Sequence, residues 1–404
     1  MKVFQFSPQL QLWVNVNNFG WNRFNGFLLN ILILNITLFM KKSLFILLLA
    51  LLTFNISYSQ ELETIKLLEA TEVKNQGMSG TCWCFSIMSL IETEMMNNGI
   101  QSPDLSEMFV VRNIYFEKAR NYILRQGFTR FSEGAFTHDI IPAIEKYGIV
   151  PEKDYPNSPN GMINHAGLDA KLKKFLDSVL TNVPVKPDWV VNYNKMLDDK
   201  FGTLPSKINY EGKDYTPLEF ARDVVKFDPN AYVGLTSYTH HPYYKPFNVE
   251  VPDNYSGGLF YNLTIDELIE TAEYAVLNGY TVGWDADVSN PFFSQEKGFA
   301  YIPKGRENLK DGIRPDEEEI SYTPQYRQEL FENLTTQDDH LMHLVGLKKT
   351  PAGKKYFYVK NSWGLIGPLK GFINVSETYF AINTITLVLP KNGVPPQIRQ
   401  KLGI

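Results

Sequence analysis

The sequence has little cysteine, no acidic residue in its first 59 positions, and no apolar run as long as a membrane-spanning helix. Its two cysteines, Cys82 and Cys84, would point to nearly opposite faces of a helix, which argues against a disulfide between them. An exported chain without a structural disulfide relies on its hydrophobic core alone. The net charge is −5 and basic runs are lacking, which argues against nucleic acid as a partner.

The first 59 residues, the acid-free leader, contain two apolar runs, Phe27–Phe39 and Ser43–Ile56, separated by Lys41 and Lys42. Each run is shorter than the roughly 20 residues that a helix needs to cross a bilayer. One alternative remains open, a single membrane anchor formed by the whole stretch Phe27–Ile56.

Read from Met40, the leader has a charged start, an apolar stretch and small residues before Gln60, as in a secretory signal peptide. We expect residues 1–39 to be upstream sequence translated in error and residues 40–59 to be the signal peptide. The protein would then be exported to the periplasm or the extracellular space, and would meet the membrane only through this segment. Loss of the four basic residues of the leader moves the net charge from −5 to −9.

The stretch Asn75–Ser86 carries the clearest chemical signal. A glycine-bearing turn leads into an apolar run, Cys82–Met96, that predicts a buried helix with Thr81 as N-cap. A thiol in the first helical turn lies at the positive end of the helix dipole, which favours the nucleophilic thiolate. Gln76 can offer its amide N–H to an oxyanion. The alternative is that Cys82 is a small buried hydrophobic residue.

Two later segments predict strands that each bear a candidate partner for this thiol. One opens on His340, and the other ends at Asn361 and is followed by Ser-Trp363-Gly. A cysteine nucleophile needs a base within hydrogen-bond reach and a third group that orients the base. His343 lies an odd number of residues from His340, so only one of the two can face a common cleft.

These motifs resemble the papain superfamily of cysteine peptidases, and within it the bleomycin hydrolase and aminopeptidase C branch. The closer likeness rests on Gln76–Trp83, Glu145–Pro151 and Thr335–His343. Cys82 and His340 are 258 positions apart, against roughly 130–150 in the short papain-like enzymes.

The resemblance implies a cysteine peptidase with Cys82 as nucleophile, His340 as base and Asn361 as the residue that orients it. Gln76 would stabilise the oxyanion, and Trp363 would shield the His340–Asn361 hydrogen bond. Three further residues, Asp339, Gly134 and Glu133, would help to line the substrate cleft, Glu133 standing where the family usually has glycine. For Glu133 the alternative is a solvated loop carboxylate.

The resemblance also implies that the C-terminal segment blocks the cleft, so that only substrates with a free N-terminus fit. The stiff, proline-containing tail 390–404 could cross the surface in this way, and its carboxylate or Glu133 could pair with a substrate ammonium. We therefore expect an aminopeptidase. The alternatives are a papain-like endopeptidase and a catalytically silent relative that binds peptides.

We expect an α+β, papain-like, two-lobed fold, with a helical lobe, a β-rich lobe and a large insertion between them. The peptidase domain would span 60–404 and the insertion about 157–310. Helices are predicted at Met108–Ile123, Ile140–Lys146, Leu168–Leu180, Pro217–Val225 and Ile265–Val276, and strands at Gly279–Val288 and Ile385–Leu389.

No metal or organic cofactor is implied. The pair His240-His241 has no Cys, Asp or Glu beside it in the sequence, which argues against a metal site there. The partner is a peptide or protein substrate, and an oligomer is compatible with the sequence.

Overall fold

The computed structural model describes residues 39–40, 62–101, 103–158 and 161–404. The predictions for residues 1–39 and 40–59 lie outside this part of the chain, apart from residues 39–40. None of the helices in the described residues is long and apolar enough to cross a membrane.

The central element of the fold is helix α1 (Cys82–Asn97), which is buried over nearly its whole length. A helix that is apolar on all sides must be enclosed by other elements. Helix α2 (Glu107–Leu124) packs beside it and starts at Ser106, whose Oγ accepts a hydrogen bond from the Phe109 N–H at 3.1 Å. The other helices of the described residues are α3 (Ile140–Tyr147), α4 (Leu168–Leu180), α5 (Trp189–Phe201), α6 (Pro217–Phe220), α7 (Ile265–Leu277), α8 (Pro324–Glu332), α9 (Glu377–Asn383) and α10 (Pro396–Leu402).

The strands of the described residues are β1 (Glu63–Leu67), β2 (Ile208–Tyr210), β3 (Lys213–Tyr215), β4 (Tyr232–Thr236), β5 (Pro246–Asn248), β6 (Leu259–Asn262), β7 (Val282–Ala286), β8 (Phe293–Ser294), β9 (Phe299–Ala300), β10 (His340–Lys349), β11 (Lys355–Lys360), β12 (Phe372–Ser376) and β13 (Thr384–Pro390). Most of them join one large, mostly antiparallel sheet with the order β5-β6-β4-β13-β7-β10-β11-β12-β9-β8, and β1 also pairs with β10. One hydrophobic core lies among the helices around α1, and a second lies against the sheet. The prediction of an α+β fold is confirmed.

The segment predicted as an insertion, 157–310, contributes to both cores. Helices α4 and α5 bury Leu172, Leu176, Tyr193 and Leu197 in the helical core. Strands β4 and β7 flank β13 in the middle of the main sheet. The segment therefore supplies part of each lobe.

The C-terminal segment does not lie where the sequence predicts. Strand β13 starts opposite Ala286, which also pairs with His340, and ends at Pro390. At about 3.3 Å per residue, the tail therefore starts roughly 20 Å along the sheet from the His340 end. Helix α10 then buries Ile398 and Leu402 in the sheet core.

Two surface contacts join the same helix to α7, Lys401 Nζ to Glu267 Oε1 at 2.6 Å and Gln397 Nε2 to Glu270 Oε1 at 2.8 Å. The prediction that the tail blocks the cleft is wrong, because its apolar residues have a core to fill elsewhere.

A buried carboxyl group at the end of α1 makes stability depend on pH. Burial raises the pKa of Glu94 to about 7, although a hydrogen bond from the Tyr232 hydroxyl opposes the rise. Because the folded-state pKa exceeds the unfolded one, folding is favoured at low pH and this contribution is lost as the pH rises from about 4.5 through 7.

We expect Glu94→Gln to remove this pH dependence. When the pH is raised from 5 to 8, the free energy of unfolding of the unsubstituted parent protein should fall by on the order of 2 kcal/mol more than that of the variant. Urea unfolding at both pH values measures this difference. The matched control is Glu145→Gln on the exposed side of α3. Parallel pH profiles for the parent and Glu94→Gln would contradict the prediction.

Candidate active site

The turn that leads into Cys82 and α1, the nucleophile turn, is held by contacts that only small residues allow. Gly77 has φ +60°, and a Cβ atom built on it would lie 2.3 Å from the Ile163 carbonyl oxygen. The Gly80 N–H donates to Glu133 Oε2 at 2.7 Å. These contacts fix the path of the chain into Cys82, the first residue of α1.

The start of α1 lies directly against the start of β10. The backbone N–H of Leu341, the residue after His340, lies near the Cys82 sulfur and opposes the rise in the pKa of this thiol. One turn further along, Ser86 Oγ donates to the Met342 carbonyl at 2.6 Å. Residues four apart on a helix share a face, so this face of α1 follows β10 and brings the thiol to its first residues.

The surroundings of Cys82 disfavour its thiolate in the free protein. Burial raises the pKa of Cys82 to about 12, and the nearby carboxyl groups of Asp338 and Asp285 add to the rise. Backbone hydrogen bonds from Leu341 and Trp83 oppose it only in part. The helix start alone therefore does not produce the expected thiolate, because desolvation outweighs the dipole.

His340 is held in one tautomer by a chain of amide groups. The Phe372 carbonyl can only accept, so it orients the Gln295 amide, whose Nε2 donates to it at 3.1 Å. Gln295 Oε1 then accepts from Asn361 Nδ2 at 2.9 Å, which turns Asn361 Oδ1 towards His340 Nε2 at 2.7 Å. Nε2 must carry the proton, and Nδ1 is left as the basic nitrogen.

Trp363 covers this arrangement. Its ring stacks on the His340 imidazole with centroids 4.5 Å apart and planes 30° apart. Burial lowers the pKa of His340, while Asn361 and Asp339 oppose the shift, so the imidazole is neutral in the resting protein. Asp339 itself is exposed and accepts hydrogen bonds from the loop after β7, including one from Ser289 Oγ at 2.6 Å.

Gln76 is placed beside the nucleophile by a residue that follows Asn361. Its Oε1 accepts from Ser362 Oγ at 2.6 Å, and its backbone N–H donates to the Ser362 carbonyl at 2.8 Å. One hydrogen of its Nε2 goes to the Ser79 carbonyl at 2.7 Å, and the amide has a second hydrogen to donate.

The two loop residues Glu133 and Gly134 lie at the same turn. Trp83 Nε1 donates to the Glu133 carbonyl at 3.1 Å, while the Glu133 carboxylate is occupied by the Gly80 N–H. The buried Lys118 ammonium donates to the Gly134 carbonyl. Glu133 thus supports the nucleophile turn through Oε2, and its contact with a substrate stays a prediction.

His343 points away from the His340 site, as strand alternation predicts. It is buried, and its Nδ1 lies 2.9 Å from Ser89 Oγ, which also accepts a hydrogen bond from Lys360 Nζ at 2.8 Å. Burial, assisted by Lys360, lowers the pKa of His343 well below its usual value. It is a neutral core histidine whose Nε2 has no hydrogen-bond partner among the described residues.

The fold brings Glu250 to the histidine pair that the sequence leaves without an acidic neighbour. Its two carboxylate oxygens lie 3.1 Å from His240 Nε2 and 2.6 Å from His241 Nε2. The three groups could hold a metal ion. Gln328 Nε2, however, donates to His240 Nδ1 at 2.9 Å, which leaves the proton of that imidazole on Nε2, facing the carboxylate. The arrangement is a hydrogen-bonded trio that ties the Glu250 loop to the end of β4.

Gln295 is the positioning residue that the sequence does not reveal, because it lies in an irregular loop 66 positions before Asn361. Replacing it with leucine should release the Asn361 amide and lower kcat roughly 2- to 10-fold, the effect of one hydrogen bond. Initial rates on a fluorogenic peptide measure this change. Glu296→Leu is the control next in sequence, and equal rates for both variants and the parent would contradict the prediction.

Comparison with known proteins finds cysteine peptidases and aminopeptidases. The sequence profile of the Peptidase C1-like family matches residues 204–403. Aminopeptidase G of Lactobacillus delbrueckii subsp. lactis is 24% identical over 378 residues, covering 80% of this chain and 82% of the relative. Human bleomycin hydrolase is 22% identical over 395 residues, covering 82% of each.

Among solved structures, PepW of Lactobacillus rhamnosis superposes with a TM-score of 0.70 at 20% identity, covering 84% of each chain. This likeness confirms the predicted papain-like fold.

Proposed function

Because the chain belongs to the papain superfamily of cysteine peptidases, we propose that it is an exported aminopeptidase with Cys82 as nucleophile and His340 as base. The single observation that supports these roles most strongly is the oriented imidazole. Its Nε2 is bound to Asn361, its ring is covered by Trp363, and the backbone N–H of the next residue, Leu341, lies near the Cys82 sulfur.

The raised pKa of Cys82 and the lowered pKa of His340 favour proton transfer during the attack over an ion pair formed beforehand. As the Cys82 sulfur bonds to the scissile carbonyl carbon, its proton passes to His340 Nδ1 and the carbonyl electrons move to oxygen. The Gln76 Nε2–H and the Cys82 backbone N–H stabilise the oxyanion. Collapse breaks the C–N bond, the leaving amine takes the proton from His340, and water then hydrolyses the thioester.

The preference for free N-termini is supported by the relatives, among which are aminopeptidases G, C and W. The endopeptidase alternative gains support from one observation, the packing of α10 on the sheet core and not in the cleft. The peptide substrate class is common to both.

Coumarin amides of single amino acids, with the amine free or acetylated, separate the two functions. An aminopeptidase should hydrolyse the free-amine substrate at least about tenfold faster, since a charge-assisted contact is worth roughly 1.5–3 kcal/mol. Equal rates on both would favour the endopeptidase. No thiol-dependent hydrolysis of either substrate, or of a casein digest, would contradict the peptidase function.

Export is supported by the acid-free leader and the signal-peptide order that starts at Met40. Protein purified from its native cell should begin at or near Gln60. N-terminal sequencing decides the matter, and an uncut chain that starts at Met1 in the membrane fraction would contradict it.

A further inference from the structure

A carboxylate from a distant loop lies over the candidate substrate-binding glycine. Gly134 is joined to the nucleophile turn through Glu133, whose carbonyl accepts from Trp83 Nε1 at 3.1 Å. A Cβ atom built on Gly134 would lie 1.8 Å from Asp253 Oδ2, so the carboxylate rests on the bare α-carbon. The space over this glycine is therefore occupied by Asp253.

The Asp253 carboxylate is held in place before any substrate arrives. Ser132 Oγ donates to its Oδ1 at 3.1 Å, and Arg130 Nε lies 3.5 Å from the same oxygen. The next residue, Asn254, is buried and closes the loop by donating to the Gly258 and Val249 carbonyls, both at 3.1 Å. The Glu250 trio anchors the loop on its other side. The other carboxylate oxygen of Asp253, Oδ2, lies next to Gly134, and the Asp253 side chain is 22% exposed.

A second carboxyl group, that of Asp338, lies near enough to Asp253 for the two charges to interact. Asp338 lies two residues before His340, and it is the leading charge that raises the pKa of Cys82. Asp253 is in turn the leading charge that raises the pKa of Asp338, so the two groups are close enough to repel each other. Behind Asp338 lie Asp285 and the Tyr238 hydroxyl, both buried, each with an oxygen that has no hydrogen-bond partner among the described residues.

The Arg130 guanidinium offsets this repulsion only in part, because the pKa of Asp338 stays raised to about 7. A substrate cation beside Asp253 would reduce the repulsion further. The resemblance implies that the loop of Gly134 contacts the substrate, and this loop is joined to the turn that carries Cys82, so a group bound over Gly134 lies beside the bound peptide.

We propose that Asp253 binds the α-ammonium of the substrate and closes the amino side of the cleft. This role rests on the proposed aminopeptidase function. It assigns to Asp253 the exopeptidase specificity that the sequence led us to expect from the C-terminal segment.

The test compares Asp253→Asn with the parent on free-amine and N-acetylated aminoacyl coumarins. The variant should raise KM for the free-amine substrate about 10- to 100-fold, the effect of losing one charge-assisted contact, and leave kcat within twofold. Rates on the acetylated substrate should not fall. Asp253→Ala should in addition speed cleavage of an N-acetylated tripeptidyl coumarin, because it opens the space over Gly134.

Asp311→Asn, on an exposed loop, is the matched control and should leave both substrates unchanged. An unchanged KM in Asp253→Asn, or an equal loss on free and acetylated substrates, would overturn the proposal. These outcomes differ from failure of the proposed function, in which the parent itself would hydrolyse neither substrate or both equally.

Discussion

Replacing Cys82 with alanine is expected to lower kcat by about 10⁴- to 10⁶-fold, the loss seen when a covalent nucleophile is removed. The reason is geometric as well as chemical. The Cys82 sulfur lies near the backbone N–H of Leu341, the residue after the oriented His340, and the other cysteine, Cys84, does not share that position. Active-site titration and initial rates on a free-amine aminoacyl coumarin measure the effect.

The matched control is Cys84→Ala, two residues along the same helix. Cys84 is fully buried and its Sγ donates to the Glu107 carbonyl at 3.4 Å, on the side of α1 away from the cleft. This variant should keep kcat within about threefold, with a small loss of stability from the missing sulfur. If Cys82→Ala stays active while Cys84→Ala does not, the assignment of the nucleophile is wrong.

The elements with a strong local signal could be predicted from the sequence. Helix α4 has the predicted limits, Leu168–Leu180, and α1 extends the predicted Cys82–Met96 by one residue. Both have an apolar pattern that only a helix can bury. The π-helical turn Ala221–Val225, within the segment predicted as one helix, depends on tertiary packing that local pattern does not encode.

The residues of the candidate site also fall into two groups, those that a local sequence motif indicates and those that it does not. Gln76, Cys82 and Asn361 stand in local motifs, so their positions could be read in the sequence. Gln295 and Asp253 lie in irregular loops and reach the site only through long-range contacts. A lone Gln or Asp in such a loop has no periodicity or spacing that marks it, which is why the sequence does not indicate either residue.

The protonation state of the nucleophile shows why a helix-dipole argument can fail. The dipole lowers the free energy of a thiolate by roughly 0.3–1 kcal/mol at an exposed helix start. Burial costs a charged group far more, and two carboxyl groups, Asp338 and Asp285, add repulsion. Only the folded structure reveals that the thiol is enclosed and lies beside these acids.

Replacing Gln76 with alanine should lower kcat by about 10²- to 10³-fold, as for other single oxyanion-hole donors, and change KM little. Ser362 Oγ and the Ser79 carbonyl hold the amide from both ends, so one Nε2–H is oriented without cost at the moment of reaction. The reaction needs this donor only after the carbonyl oxygen becomes charged. The loss should therefore fall on kcat.

Two variants separate donation from structural support at this position. Gln76→Glu keeps the size of the side chain but removes the donor, and should lose at least as much kcat as the alanine variant. Ser362→Ala removes only the hydrogen bond that orients the amide, and should cost roughly 2- to 10-fold. Thermal unfolding should show that all three variants are folded. A Gln76→Ala enzyme with kcat within threefold of the parent would show that the oxyanion is stabilised by other groups, with the Cys82 backbone N–H as the first candidate.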